Sequence, residues 1–356
     1  MPMKSFLKYT VAAAGVAVVA TASASAAELQ DTDLTYVGSW SSLSLFKNFE
    51  KPFWGETLPD DSGGAITVQV STFDQMGLAG AEVYRLLQKG VFDVGATVAD
   101  YTVQDAPELE GLDMPMIAPG VQKAWDVAKA YKPVLDDALK ERFNAKLVSV
   151  VPYPAQVVFC NTEISGLEDL KGKKIRASGR TTAEFLEAIG AEGITMAFNE
   201  VPGALERKVI DCAVTGSLSG YSSGWHEVST HLYPLPVGGW DHVVTAVNLD
   251  KWESLDPAVR DFILKEAEEK LETPVWEAAF DETKEGVACL TGKGDCARGE
   301  AGDMVLVEPT DADYAFAREK LEQDVLPAWA KRVSADWVTR WNETAGKVVG
   351  LTANGG

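Results

Sequence analysis

Five cationic side chains fall between residues 171 and 180, and they are the sequence's clearest candidates for binding chemistry. They are Lys171, Lys173, Lys174, Arg176 and Arg180. An arginine guanidinium presents a planar fork of donors that fits a carboxylate or a sulfonate at two points, and it stays charged at any relevant pH. The spacing alone does not separate an anion site from a solvated cluster of surface cations.

Patterns of catalytic residues give little support to an enzyme. The sequence contains no G-x-x-x-x-G-K-[ST], no H-E-x-x-H and no G-x-G-x-x-G that opens a helix. Only three histidines, His226, His231 and His242, are available as general bases. Acidic pairs such as Asp60 and Asp61 belong to a set of 53 acidic residues and are expected at the solvated surface. We therefore predict that the protein is not an enzyme.

Four cysteines are present, which in an exported protein suggests two disulfides. Cys289 and Cys296 flank a turn-rich hydrophilic loop, so a local bond between them is expected. Cys160 and Cys212 each adjoin an apolar run and could either pair across neighbouring strands or remain buried thiols. No cysteine pair has zinc-ligand spacing, so we expect no zinc site and no cofactor. A metal that bridges the ligand and the protein is an alternative that the sequence leaves open.

The first residues have the order of a secretory signal peptide. Lys4 and Lys8 precede an apolar run from Tyr9 to Ala20, and small residues follow up to Ala27. A run of about a dozen residues is too short to cross a hydrocarbon core of ~30 Å as a helix. We therefore expect residues 1–27 to be a cleaved signal peptide and the remainder to be periplasmic.

The chain is strongly acidic, with a formal net charge of −21. Residues 1–27 hold two lysines and no acidic residue, so the rest of the chain carries −23. Such a surface repels nucleic acid and anionic lipid, and we expect neither as a partner. It also repels an anionic ligand at long range, so capture of an anion requires a strong local positive site.

Apolar periodicity alternates between strands and helices, and the chain is long enough to favour two domains. It predicts strands at 34–37, 66–70, 92–98, 146–152, 155–160, 174–177, 194–198 and 210–214. It predicts helices at 43–58, 80–88, 181–189, 200–208, 255–289, 314–332 and 335–351. This alternation indicates α/β units with parallel strands. The helix at 255–289 is long enough to span two domains.

Three stretches resemble the solute-binding subunits of tripartite ATP-independent periplasmic (TRAP) transporters. They are LEDLKGKKIRASG, ending at Gly179, AIGAEGITMAFNEVPGALERKVIDCAVTG (188–216) and VNLDKWESLDPAVRDFI (247–263). Their order and spacing carry the resemblance over nearly the whole chain after residue 27, and they count against an ATP-driven importer. The resemblance implies a two-domain α/β periplasmic binding protein fold with a long helix packed across both domains.

The domain boundaries follow from this resemblance and the element pattern. Domain I is expected at 28–152 with about 242–282, and domain II at 153–241 with about 283–356. The ligand cleft is expected between them.

The resemblance also assigns candidate ligand-binding residues. Arg176 follows the K-G-x-K-I stretch, where the family has an arginine that pairs with the ligand's carboxylate. Phe198 matches an aromatic residue that lines the ligand cavity, although ordinary core packing is the alternative. Gln156 stands where many members have a second arginine, and Thr215 where the family often has an asparagine. Both departures favour a ligand with a single anionic group.

Four further candidates are placed more coarsely near the cleft: Trp40, Tyr153, Trp240 and His242. Aromatic side chains there present apolar faces with a polar edge, which suits an aromatic or partly apolar ligand, and equally suits packing between domains. His242 could donate to the anion or be structural.

The expected function is capture of a small organic anion, above all an aromatic or apolar monocarboxylate, for delivery to the integral membrane subunits of a TRAP transporter. Small sulfonates and hydroxy or keto acids are the alternative ligands, and a periplasmic sensor domain of the same fold is the alternative role. A hinged, monomeric protein is expected.

Overall fold

The computed structural model describes residues 1–3 and 29–354. The predicted signal peptide, 1–27, lies almost entirely outside this range. Within the described residues, no helix combines the length and the apolar character that a membrane crossing requires.

Two mixed sheets organise the described residues. The first has the order β2-β1-β3-β10-β4 and the second the order β11-β9-β5-β8-β6-β7. Their strands are β1 Thr32–Gly38, β2 Ile66–Thr72, β3 Val94–Val98, β4 Ala145–Val151, β5 Gln156–Cys160, β6 Lys174–Ala177, β7 Glu192–Thr195, β8 Cys212–Gly216, β9 His231–Tyr233, β10 Val243–Asn248 and β11 Val305–Leu306.

The expectation of parallel strands is correct for part of each sheet and wrong for the rest. Strand β1 is parallel to β2 and β3, and β6 is parallel to β7 and β8. Strand β10, however, is antiparallel to both β3 and β4, and β5 is antiparallel to β8 and β9. The physical reason is that the chain crosses from one sheet to the other just before β5 and again before β10, so these strands enter their sheets from the opposite direction.

Helices cover the two sheets. Three long helical stretches, each containing π-helical turns, run continuously through 44–61, 257–291 and 311–330. The other helices and helical turns are Gly80–Glu82, Val83–Gln88, Ala99–Thr102, Pro107–Leu112, Val121–Phe143, Leu167–Leu170, Arg180–Ala188, Phe198–Glu200, Val201–Glu206, Ser217–Ser222, Trp225–Glu227, Leu249–Ser254, Ala335–Trp341, Asn342–Gly346 and Lys347–Val349.

The helical stretch 257–291, here called the long helix, makes hydrogen bonds with residues of the first sheet and with residues next to the second sheet. At its middle, the Trp276 indole Nε1 donates to the Val150 carbonyl in β4, 2.9 Å away. About two turns further on, the Ala155 N–H donates to Thr283 Oγ1 at 3.2 Å, and the Ser217 hydroxyl donates to the Thr283 carbonyl at 3.0 Å. The long helix therefore connects the first sheet to helix Ser217–Ser222 beside the second.

Both disulfides are formed. Cys160 and Cys212 are register partners on the antiparallel strands β5 and β8, and their bond settles the alternative that sequence left open. Cys289 and Cys296 close the loop after the long helix, as expected. Among the described residues no cysteine is free.

Candidate ligand-binding site

Arg176 lies on β6 and is almost completely buried, with 1% of its surface exposed. Its Nε donates to the Met196 carbonyl at 2.9 Å, and its Nη1 donates to the Val214 carbonyl at 2.7 Å. The remaining nitrogen, Nη2, has no hydrogen-bond partner among the described residues. Two backbone carbonyls thus fix the guanidinium, and one edge of it stays available to an acceptor.

A cavity of about 830 Å³ opens beside this arginine. Its walls come from the segments that follow five strands: Trp40 after β1, residues 74–81 after β2, 100–104 after β3, 178–187 after β6 and 195–200 after β7. All five strands belong to the parallel parts of the two sheets. The cavity therefore lies where α/β proteins bind ligands, outside the carboxyl ends of parallel strands.

Two of the predicted residues, Trp40 and Phe198, line this cavity. Their ring centroids are 5.6 Å apart, and each packs on a second aromatic ring, Phe73 for Trp40 and Trp225 for Phe198. Trp40 belongs to the segment after the first sheet's β1, whereas Phe198 follows β7 of the second sheet. The pair thus forms an aromatic contact between the two halves of the wall.

Arg176 itself is not among the residues that form the cavity surface, but it touches two that are. Its Nε bonds the carbonyl of Met196, and its guanidinium lies beside the Tyr101 hydroxyl, which also faces Trp40. Burial raises the pKa of Tyr101, and the positive charge of Arg176 opposes that rise. The guanidinium therefore lies just behind the wall at Met196 and Tyr101.

Gln156 and Thr215 are buried on β5 and β8 and lie outside the cavity lining. Thr215 follows Val214, the residue whose carbonyl binds Arg176, and it pairs in register with Val157. The Gln156 amide donates to the Pro154 carbonyl at 2.8 Å, and its Oε1 has no partner among the described residues.

Tyr153, Trp240 and His242 lie on the segments that cross between the sheets. The Trp240 indole donates to the Ala118 carbonyl at 2.7 Å, and the Tyr153 N–H donates to the Trp240 carbonyl at 2.9 Å. His242 Nδ1 lies 3.2 Å from Asp113 Oδ2. None of the three contributes to the cavity lining, and these contacts give them a role in packing the crossover.

Sequence reasoning missed a group of buried carboxyls beside the cavity. Asp100 follows β3, lines the cavity and is 6% exposed. Its carboxyl packs directly against Gly179 of the other wall, where a methyl group would collide with it. Burial raises the pKa of Asp100 well above its ordinary value, and the neighbouring Asp241, Asp113 and Glu110 raise it further. The position of Asp100 at the carboxyl end of a buried strand is the signal that could have identified it.

Asp241 is the second of these carboxyls. It accepts a hydrogen bond from Ser178 Oγ at 2.9 Å, and its backbone φ of 42° is left-handed, which few non-glycine residues adopt. Burial raises its pKa to about 7 despite the nearby charge of Arg176. Its neighbours Trp240 and His242 were candidates from sequence, whereas Asp241 was not.

The described residues offer no group of three or more His, Cys, Asp or Glu side chains arranged to hold a metal ion. One G-x-S-x-G match, residues 220–224, runs out of the end of helix Ser217–Ser222. Ser222 therefore does not stand on the strand-to-helix turn that a nucleophile elbow requires.

Comparison with known proteins identifies a family. Residues 39–331 match the model of DctP, the bacterial extracellular solute-binding proteins of family 7. A solute-binding protein of Albidiferax ferrireducens is 29% identical over 152 residues, which is 41% of this chain and 43% of that protein. The chain spans half the length or less of the curated relatives it matches.

Solved structures share the fold. The Bordetella pertussis extracytoplasmic solute receptor DctP7, which binds pyroglutamic acid, superposes with a TM-score of 0.75 at 22% identity, covering 87% of this chain and 98% of that one. The periplasmic ectoine-binding protein of the TeaABC TRAP transporter of Halomonas elongata gives a TM-score of 0.78 at 19% identity, covering 90% and 100%. These likenesses confirm the predicted two-domain fold with its long helix.

Proposed function

Since the chain belongs to family 7 of the bacterial extracellular solute-binding proteins, we propose that it captures a small organic anion in the periplasm and delivers it to the integral membrane subunits of a TRAP transporter. The family and the structurally similar proteins are solute receptors rather than enzymes, which agrees with the prediction from sequence. The domain boundaries at 152/153, 241/242 and about 282/283 remain part of this proposal.

The observation that carries the proposal is the state of Arg176. A buried guanidinium is costly unless its charge and donors are satisfied, and this one pairs with no carboxylate among the described residues. Its two backbone contacts orient Nη2 without neutralising the charge. A ligand carboxylate on Nη2 would supply the missing charge partner.

The proposed ligand carries one anionic group and a flat, partly apolar body. Gln156 and Thr215 add no positive charge near Arg176, which supports a single carboxylate. Trp40 and Phe198 offer ring faces at the cavity wall. Pyroglutamate and ectoine, bound by two proteins of the same fold, are both small rings with one carboxylate. Small sulfonates and hydroxy or keto acids fit the same anchor less closely.

Calorimetry with a panel of small organic acids tests the anchor. For the tightest ligand, Arg176→Gln should weaken binding by at least about tenfold, because truncating one partner of a buried charge pair costs about 2 kcal/mol or more. Arg85→Gln is the matched control, since Arg85 forms an exposed ion pair with Asp105 and neither residue lines the cavity.

Equal affinities for wild type and Arg176→Gln would refute the anchor. Turnover of an ester or phosphate by the purified protein would refute the receptor class. A sensor role, the alternative for this fold, would show as binding without uptake when the protein is combined with TRAP membrane subunits in vesicles.

A further inference from the structure

The charge around the cavity does not match a ligand that is only an anion. The charged residues of its lining are mostly acidic, namely Asp74, Asp100, Glu184, Glu187 and Glu200. Arg180 is the one basic residue in the lining. Arg180 in turn lies 3.6 Å from the buried Glu110. A bare anion that reached Arg176 would therefore also meet a surplus of carboxyl groups.

Asp100 is the one buried member of this set, and it has no partner among the described residues. Asp74 accepts hydrogen bonds from the N–H and hydroxyl of Ser41, at 3.0 and 2.5 Å. The carboxyl of Asp100, by contrast, makes no hydrogen bond and no ion pair with any described residue, although it is 94% buried and faces the cavity. Buried polar groups without partners are rare in folded proteins and call for a partner from outside the chain.

Asp241 extends this acidic site toward the anchor. Ser178, a cavity residue, donates to its Oδ1, and the charge of Arg176 acts on it. Asp100 lies against Gly179, the residue that follows Ser178. Asp100 in the cavity wall, with Asp241 and Arg176 just behind the wall, thus adjoins the same part of the cavity.

Resting on the function proposed above, we propose that the ligand is a small zwitterion, whose carboxylate binds Arg176 and whose protonated N–H-bearing nitrogen binds Asp100 and Asp241. The nitrogen supplies the donors that Asp100 lacks, and its charge offsets the acidic lining. Trp40 and Tyr101 flank the same space and suit a cationic ring nitrogen through their faces.

Matched pairs of probes that differ only in the nitrogen test this inference by calorimetry. L-proline is compared with cyclopentanecarboxylate, L-pipecolate with cyclohexanecarboxylate, and β-alanine with butanoate. For the best-bound pair we expect the nitrogen-containing member to bind at least about tenfold more tightly to wild type. In Asp100→Asn this ratio should fall at least about tenfold, because the amide retains the shape but cannot ionise to pair with the protonated nitrogen.

Asp241→Asn should lower the same ratio, and its left-handed backbone suits asparagine. Glu266→Gln is the control, a buried acid on the long helix outside the cavity lining, and should leave the ratio unchanged. Thermal unfolding curves establish that each variant is folded before its affinities are compared.

The outcomes separate the two proposals. Tighter binding of the nitrogen-free acids, or a ratio that Asp100→Asn leaves unchanged, overturns the zwitterion inference. A loss of affinity in Arg176→Gln would then still support the anion receptor. If Asp100→Asn tightens both members of a pair equally, Asp100 acts only as a repulsive charge and the inference fails. If wild type binds no member of any pair, the single-carboxylate receptor and the inference fail together.

Discussion

At the scale of single residues, Glu50 is a buried carboxylic acid whose ionisation opposes folding. It is 1% exposed, and its Oε2 accepts hydrogen bonds from the Ser39 N–H at 3.0 Å and the Ser39 hydroxyl at 2.7 Å. Its Oε1 has no hydrogen-bond partner among the described residues. Burial raises its pKa to about 7, against the lowering effect of Ser39 and Tyr36.

A raised pKa means that the folded state prefers the protonated form of Glu50. The stability it contributes is present below the unfolded pKa of 4.5 and is lost as pH rises through about 7. Glu50→Gln should therefore be more stable than wild type at pH 8 by about 1–3 kcal/mol, with no gain at pH 4. Urea unfolding at both pH values measures the difference in the free energy of unfolding, and the exposed Glu322→Gln is the control. An equal gain in stability at pH 4 and pH 8 would contradict the raised pKa of Glu50.

The site residues divide by what a sequence can reveal. Arg176 could be named as a candidate because it falls in a motif, and because a guanidinium is suited to binding a carboxylate. Asp100 and Asp241 were missed, because 53 acidic residues look alike in the sequence, and only the place of Asp100 after a buried strand distinguishes one of them. Trp240 and His242 were placed on the correct crossover, and their contacts there depend on Ala118 and Asp113, which are remote in sequence.

At the scale of elements, the long helix approaches helix Ser217–Ser222 through Gly286. A Cβ at this position would collide with the Leu218 backbone and the Ser217 hydroxyl. Gly55, in the helical stretch 44–61, is exposed and has room for a methyl group. The two glycines therefore make a matched pair, one needed for packing and one not.

We expect Gly286→Ala to destabilise the protein by about 2 kcal/mol, because backbone atoms cannot move aside. Gly55→Ala should instead stabilise it by about 0.5–1 kcal/mol through a better helix propensity. Melting temperatures of the two variants measure this difference. A stabilising Gly286→Ala would show that the helices are not in such close contact.

Elements with a local apolar pattern were predictable, and those that depend on distant partners were not. Strand β6 lies at the predicted residues, and β8 overlaps its prediction. Strands β9 and β11 were missed, since they have three and two residues and exist only through their neighbours. Strand β10 was missed too, although its six residues are mostly apolar and β-branched. Helix Val121–Phe143 was missed as well; its apolar spacing is helical, but Pro133 interrupts the pattern.

At the scale of the whole molecule, the net charge of −21 means that the surface charges repel one another and destabilise the folded state. Because salt screens repulsion between exposed charges, the melting temperature should rise by several degrees between about 0.01 and 0.5 M NaCl. The association rate of an anionic ligand should also rise with salt, which stopped-flow fluorescence of the cavity tryptophan can follow. Rates that fall with salt would mean that a local positive field outweighs the global charge.

The two disulfides bear on how the chain is made. They join residues 52 and 7 positions apart, and closing loops of this length stabilises a fold by about 4 and 2 kcal/mol in the chain-entropy view. A reducing cytoplasm keeps such thiols apart, so a newly synthesised chain lacks this contribution. On the proposed route to the periplasm, the unoxidised chain is easier to keep unfolded during export, and oxidation afterwards makes folding harder to reverse.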